Sequence, residues 1–554
     1  MTLGQMLRAT VHTHSDRVAI TTTGKGAISW TYRELFDRVA RFSAVLAARN
    51  LQRGDPVCLI AENSPEWPVL DWACQCCGYI LVPIYPTLPK DQTEYIVKDC
   101  GAKLVVLGGL DQAPKLADLP VESLQLRDLV EQAAAAAPLA LDASIDAGKD
   151  EDPCTIIYTS GTTGTPKGAV MPNRAFVHVC VAAKDHIRLG PEDRFLEFLP
   201  MSHVYERVAG QCLPVYLGAT ICVSKGLASL GTEMTEFQPT IMLCVPRFLE
   251  SMRHRILDGA AKQKPLRKRL FDLYISQGVQ KARGKFAPMH GLLDPIVGKR
   301  IRERAGGKLR YFVSGGAALA PAVAEFYMAV GFVVLQGYGL TETSGGSFIN
   351  LPEDNRYWTV GTSLAMESKI AQDGEILIRG PALMLGYHNL PAETAAAIDE
   401  DGWFHTGDVG EFEGQNLKIT DRKKDILVLA NGKNVAPQKI ENLLKTTDTI
   451  QEAVVLGDGM EYCVALIVPN FEFLRAKLSL PESEPISENA QAKALIKKDV
   501  DSVSRSLAAF EQVKRHAILD QPFSIETGEL TPSLKVKRKV VKEKYRDLIE
   551  TLRR

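Results

Sequence analysis

The chain has 554 residues, 45% of them hydrophobic, and its 65 Lys and Arg nearly balance 66 Asp and Glu for a net charge of −1. That length exceeds one compact core, so at least two domains are expected, and the charge balance excludes a global field suited to nucleic acid or an anionic membrane. No apolar run approaches the roughly 18 residues that span a bilayer, and the eleven cysteines follow no disulfide framework.

From the N-terminus, Val57–Ile60 reads as a strand, Pro65–Gly78 as a helix and Ile80–Val82 as the next strand. Short apolar runs return at Leu104–Leu107, Thr240–Val245 and Arg310–Val313. Strands that alternate with helices predict parallel, doubly wound sheets covered on both faces. Cys74, Cys76 and Cys77 fall inside the first helix and strand; with no second cysteine pair at zinc spacing they read as core thiols. An odd cysteine count without a leader-like stretch points to the reducing cytoplasm. The alanine-rich stretch from Glu131 to Asp152 reads as a surface connection.

Beyond about Gly345 the texture changes. Gly374–Gly380, Gly402–Gly410 and Asn416–Thr420 are short apolar strands between turn residues, which predicts an antiparallel, barrel-like unit. From Asp425 onward a smaller mixed region is expected, with strands near Ala453–Leu456 and Val464–Val468 and then a helix-rich basic tail. The division is 1–422 and 423–554, with a hinge at Arg422–Asp425.

Ile156–Tyr158 ends a strand and runs into Thr159, Ser160, Gly161, Thr162, Thr163, Gly164, Thr165, Pro166, Lys167 and Gly168. Glycines let backbone N–H groups approach phosphates, hydroxyls add donors, and Lys167 adds a mobile positive charge. By itself the stretch fits either a nucleotide loop or a Ser/Thr/Gly surface turn. It is not the common P-loop, in which Ser or Thr directly follows the lysine.

These ten residues resemble the signature loop of the adenylate-forming superfamily, which includes acyl-CoA synthetases, luciferases and peptide-synthetase adenylation domains. Further motifs follow in the family's order, so the resemblance covers nearly the whole chain. It implies a large N-terminal domain of two doubly wound sheet subdomains plus a β-barrel subdomain, joined to a small mobile α+β C-terminal domain. Ser314, Gly315, Gly316 and Ala317, and the run Gln336, Gly337, Tyr338, Gly339, Leu340, Thr341, Glu342, match the segments that line the adenine. Taken alone, each is a tight turn after a strand. The resemblance implies that Tyr338 stacks on the base, Thr341 touches the α-phosphate, and Glu342 with Thr159 holds Mg²⁺, a role that suits a carboxylate facing pyrophosphate.

Gly402–Asp408 is similar to the ribose segment, with Asp408 accepting from both ribose hydroxyls. Asp421–Asp425 continues it, with Arg422 at the ribose or phosphate and Lys424 at the hinge about which the small domain would swing. Leu530–Arg538 resembles the terminal loop whose lysine bonds the substrate carboxylate and the α-phosphate; that lysine is Lys535. Leu199–Arg207 is similar to the acid-site segment of long-chain acyl-CoA synthetases, which sets His203 beside the substrate carboxylate. Val245–Arg247, the basic stretch Lys262–Arg304 and Asn431–Pro437 favour the same group.

The implied reaction is ATP-dependent acid activation to acyl-AMP, then transfer to a thiol. No carrier or reductase segment is read after Lys535, so coenzyme A is the expected acceptor; delivery to a separate acyl carrier protein or an amine, and a medium-chain or unusual acid, stay open. So do a homodimer and peripheral membrane contact. A non-catalytic nucleotide or fatty-acid sensor fits less well, because Glu342, Asp408, Arg422 and Lys535 form a coherent set.

Overall fold

A computed structural model of the chain describes residues 1–160, 165–524, 526–531 and 536–553. Its seven-stranded sheet runs, in spatial order, Glu122–Gln125, Leu104–Leu107, Pro56–Ile60, Ile80–Ile84, Pro153–Ser160, Pro166–Pro172 and Gly386–Tyr387. The first five strands are parallel and the last two antiparallel. Leu104–Leu107 and Val57–Ile60 are buried throughout, as unbroken apolar strands covered on both faces must be. The helix Glu66–Cys77 stops at Gly78, whose φ of 75° suits a residue without Cβ. Cys74, Cys76 and Cys77 are free thiols in its buried flank.

The nine-stranded sheet has a parallel centre of six strands: Val333–Tyr338, Tyr311–Ser314, Ile241–Cys244, Arg194–Glu197, Thr220–Val223 and Val18–Thr21. Antiparallel strands close its edges at Ser29–Thr31, Phe348–Ile349 and Thr362–Ser363. Strands in the parallel centre end close to one another at Ser314 and Tyr338, where the expected adenine segments begin. In open parallel sheets such carboxyl ends are where ligands bind.

The barrel-like unit consists of the antiparallel strands Glu367–Ile370, Glu375–Arg379, Phe404–Glu413 and Asn416–Arg422. It does not close on itself: Leu417 exchanges backbone hydrogen bonds of 2.8 Å with Val360 and Gly361, which joins it to the edge of the nine-stranded sheet. Past Arg422, Ile450–Leu456 and Cys463–Pro469 pair antiparallel above helices Pro437–Leu444 and Ala490–Arg505. Their core, with Leu427, Ile440, Val455 and Ile496, is distinct from the cores of the larger part.

Two sequence readings are corrected. The supposed connection from Glu131 to Asp152 carries the end of a helix, Leu126–Ala135, and a second one, Asp142–Asp146. Alanine is the strongest helix former and Leu129 and Ala133 anchor the first helix in the core, so the alanine run is helical as far as Ala135. The basic tail also contains a strand, Val513–Ile518, parallel to Cys463–Pro469. Its charged residues sit at a sheet edge and mask the strand pattern.

Candidate active site

Two cavities of about 1610 and 1300 Å³ meet at His203, Tyr205, Gly316, the segment 337–340 and Arg422. Gly316 has φ of 83°, and a Cβ at Gly339 would stand 2.4 Å from the backbone of Gly345, so neither turn accepts a side chain. Ala317, Gln336 and Asp408 face the first cavity; Thr159, Lys167, Gly315, Thr341, Glu342 and Lys424 face the second.

Asp408, 4% exposed, is gripped from two sides. The Tyr338 hydroxyl donates to its Oδ2 at 2.6 Å, and Arg422 Nε donates to its Oδ1 at 3.2 Å. Burial, with Asp408 alongside, pushes the Tyr338 phenol well up, so it stays a donor. Glu342 accepts a 2.7 Å hydrogen bond from the Tyr387 hydroxyl. Lys167 is ion-paired with Glu393 and lies 5.3 Å from the Tyr387 ring centroid; the lysine holds the Glu393 carboxyl below its usual range. Gln336 is committed to the fold, accepting from Leu319 N at 3.1 Å and donating to the Tyr357 carbonyl at 2.5 Å.

His203 starts the short helix Val204–Glu206, its Nδ1 accepting from Tyr205 N at 3.1 Å. A neutral ring in that arrangement carries its proton on Nε2. Asn63 clamps the segment before it, donating to the Leu199 carbonyl at 2.7 Å and accepting from Met201 N at 2.9 Å. Behind it, residues Arg207–Cys212 form a π-helical turn. The wholly buried Arg207 makes two hydrogen bonds to Asp71, at 2.6 and 2.7 Å, and one to Thr155 at 2.6 Å. Burial pushes the Glu197 and Glu206 carboxyls beneath this turn well above the carboxylate range.

From the small part, Thr531, Val536 and Lys537 face the second cavity beside Thr159 and Glu342. Leu530 and Val536 form an isolated antiparallel bridge, and Arg538, at the start of the helix Arg538–Lys544, donates two hydrogen bonds to Glu441, at 2.8 and 2.9 Å. Gly161, Thr162, Thr163, Gly164 and Lys535 lie outside the described residues, as does the Ser160 side chain.

The AMP-binding enzyme family matches residues 7–388, and the AMP-binding enzyme C-terminal domain matches 424–554. The chain belongs to the AMP-binding enzymes. It is 33% identical over 557 residues to the long-chain-fatty-acid–CoA ligase FadD15 of Mycobacterium bovis, covering 94% of this chain and 92% of that protein. Human long-chain-fatty-acid–CoA ligase 1 is 30% identical over 576 residues, with 93% and 82% covered. ATP-bound MatB from Rhodopseudomonas palustris superposes with a TM-score of 0.76 at 24% identity, covering 99% of this chain and all of that one, a likeness of fold.

In this AMP-binding enzyme, sequence reading missed Asn63, Asp71, Tyr387, Glu393 and Arg538 as neighbours of the site. Only Arg538 lies within a motif singled out above, and no local pattern marks the other four. Arg207 was read as part of the acid segment, yet its guanidinium is spent on Asp71 and Thr155 inside the fold.

Proposed function

We propose that this AMP-binding enzyme activates a long-chain fatty acid with ATP and passes the acyl group to coenzyme A. The carboxylate attacks the α-phosphorus and pyrophosphate leaves; the thiol of coenzyme A then attacks the acyl carbonyl and AMP leaves. The observation that carries this reading is one continuous void: the cavity holding Tyr338, Asp408 and Arg422 extends between Phe248, Met252, Phe271 and Ile301, an apolar space suited to an alkyl chain.

In this reading Asp408 accepts from the ribose hydroxyls, with Arg422 fixing its orientation. Tyr338 stacks on adenine between the backbones of Gly315, Gly316, Ala317 and Gly337. Thr159, Ser160, the loop 161–164 and Lys167 cradle the phosphates, which requires Lys167 to release Glu393. Thr341 touches the α-phosphate, and His203 Nε2–H donates to the acid's carboxylate. Lys535 neutralises charge at the α-phosphorus, with geometry set by the small domain.

Mg²⁺ fits Glu342 with Thr159: the two line one cavity and offer a carboxylate and a hydroxyl, and Mg²⁺ is commonly held by one or two carboxylates plus phosphate and water. When bound, it offsets the charge on the departing pyrophosphate. The domains in this reading are 1–422 and 423–554. Lys424 is the swivel between adenylation and thioester formation.

The test is acid-dependent ATP–pyrophosphate exchange over acids from acetate to stearate and aromatic acids, followed by coenzyme A addition. Exchange with long chains and stoichiometric AMP support the reading. ADP as the product, or discharge only to carrier protein, overturns it.

A further inference from the structure

The packing behind the acid-site turn, with Val204, Val208, Leu213 and Phe195, is apolar except at one place. Glu197 ends the strand Arg194–Glu197 and shares a face of the sheet with Phe195, which lines the second cavity. Glu206 ends the short helix that His203 begins, and Gln211 sits in the π-helical turn that follows. The three side chains are 1%, 0% and 1% exposed. Single π-helical turns are rare and gather at functional sites. This one sets Val208 and Ala209 in the cavity wall, with Glu206 and Gln211 buried behind them.

Both carboxyl oxygens of Glu197, both of Glu206 and both polar atoms of the Gln211 amide lack a hydrogen-bond partner. The Gln211 amide faces Glu197, and the backbone N–H groups of Phe198 and Leu199 face Glu206, but none completes a hydrogen bond. The adjacent cation, Arg207, is committed to Asp71 and Thr155. The titratable groups facing the pair are Tyr205, Cys222 and Cys244, whose protons burial retains. A buried carboxylate with neither cation nor donors is not sustained; the group takes up a proton instead. Gly210 leaves room for this carboxyl, since a Cβ there would stand 3.2 Å from the Glu206 carboxyl carbon.

Leucine or methionine would fill the same layer without orphaned polar atoms, so the two acids weaken the packing they occupy. Departures of this kind are expected where function demands them. The substrate read for the neighbouring cavity is itself an anion. Two carboxylates one layer behind His203 would repel it through low-dielectric packing, whereas two carboxylic acids bring bulk and polarity without charge.

We propose that Glu206, backed by Glu197 and Gln211, is a positioning residue for acid activation: an uncharged carboxyl that fixes the π-helical turn behind His203 and keeps negative charge off the wall that meets the acid's carboxylate. This inference rests on the acid-activation reading above. Glu206 touches neither acid nor nucleotide and acts through His203 and Tyr205. Tyr205 lines both cavities and donates to the Val313 carbonyl at 2.8 Å, so a shift of the turn reaches the site directly.

The test compares E206A, the neutral isostere E206Q and E197Q/E206Q with wild type, all as the full chain. In pyrophosphate exchange E206A should raise KM for palmitate about tenfold or more and leave KM for ATP within about twofold, and E206Q should restore most of that loss. A lesion of folding alone lowers the amount of active enzyme and moves neither constant. Infrared difference spectra of wild type against E197Q/E206Q at pH 7.5 should show the C=O band of protonated carboxyls, a reading that needs no activity. Only carboxylate bands in that difference, or E206Q as damaging as E206A, would show that the charge is present and required, and would overturn the proposal. An E206A enzyme with the wild-type KM for palmitate would remove the positioning role. Should E206A fail to fold, KM for palmitate in E206Q and the infrared bands decide the matter between them. Absence of acid-dependent exchange in the wild type would instead defeat the acid-activation reading, while the spectra still report the state of the two carboxyls.

Discussion

Asp408 combines deep burial with two donors, so its removal takes away the carboxylate that the Tyr338 hydroxyl and Arg422 Nε both donate to. A buried donor stranded in this way costs about 1–3 kcal/mol. Asp408→Ala should raise KM for ATP roughly ten- to hundredfold in pyrophosphate exchange; an unchanged KM would remove it from the ribose site. Asp421 makes a different prediction. Burial pushes its carboxyl up to about 6, and Glu441 and Asp425 push the same way against the Arg422 backbone N–H, which donates to it at 2.6 Å. The folded state thus binds more protons than the unfolded one between the ordinary carboxylate range and about pH 6. Stability falls as pH rises through that window, by up to about 3 kcal/mol once the group is ionised. Asp421→Asn keeps an acceptor for Arg422 N; it should raise the melting temperature at pH 7.5, change it little at pH 4.5, and flatten the slope between.

At the scale of elements, the buried Arg207–Asp71 pair ties the π-helical turn behind His203 to the helix Glu66–Cys77 and, through Thr155, to the strand Pro153–Ser160 that leads into the proposed phosphate loop. Three pieces of the site are thereby held in one register. Removing one partner of a buried ion pair strands the other, typically at about 3–5 kcal/mol. Asp71→Ala should lower the first calorimetric unfolding transition by that equivalent and reduce acid-dependent exchange. Asp71→Leu combined with Arg207→Met should recover much of the stability. If it recovers exchange as well, the charges hold the turn only through packing.

The whole molecule brings a segment from near the C-terminus into a cavity built by the larger part: Thr531, Val536 and Lys537 stand with Thr159 and Glu342. Adenylation and thioester formation should therefore separate by mutation. Lys535→Ala is expected to slow pyrophosphate exchange roughly 10²–10³-fold, the loss typical of one preorganised donor, while thioester formation from supplied acyl-adenylate continues. Lys424→Pro, which fixes one backbone dihedral at the proposed swivel, should do the reverse. Equal losses in both half-reactions of either variant would remove the alternation of the small domain.

The tight turns of the candidate site were legible in the sequence, because a close backbone approach needs glycine, as at Gly339, where a Cβ would stand 2.4 Å from the backbone of Gly345. The parallel sheets were legible for a related reason, since fully covered strands such as Leu104–Leu107 must be apolar throughout. Edge elements were not. Val513–Ile518 carries charge because one side meets water, and the alanine run before Pro138 has no pattern that separates helix from linker. Long-range partnerships were also invisible: Asp71 meets Arg207 across 136 residues and Arg538 meets Glu441 across 97. A guanidinium in a recognised motif looks the same whether it faces substrate or a buried carboxylate. Only tertiary packing decided that, because the dielectric and the partner around a charge are set by the chain folded over it.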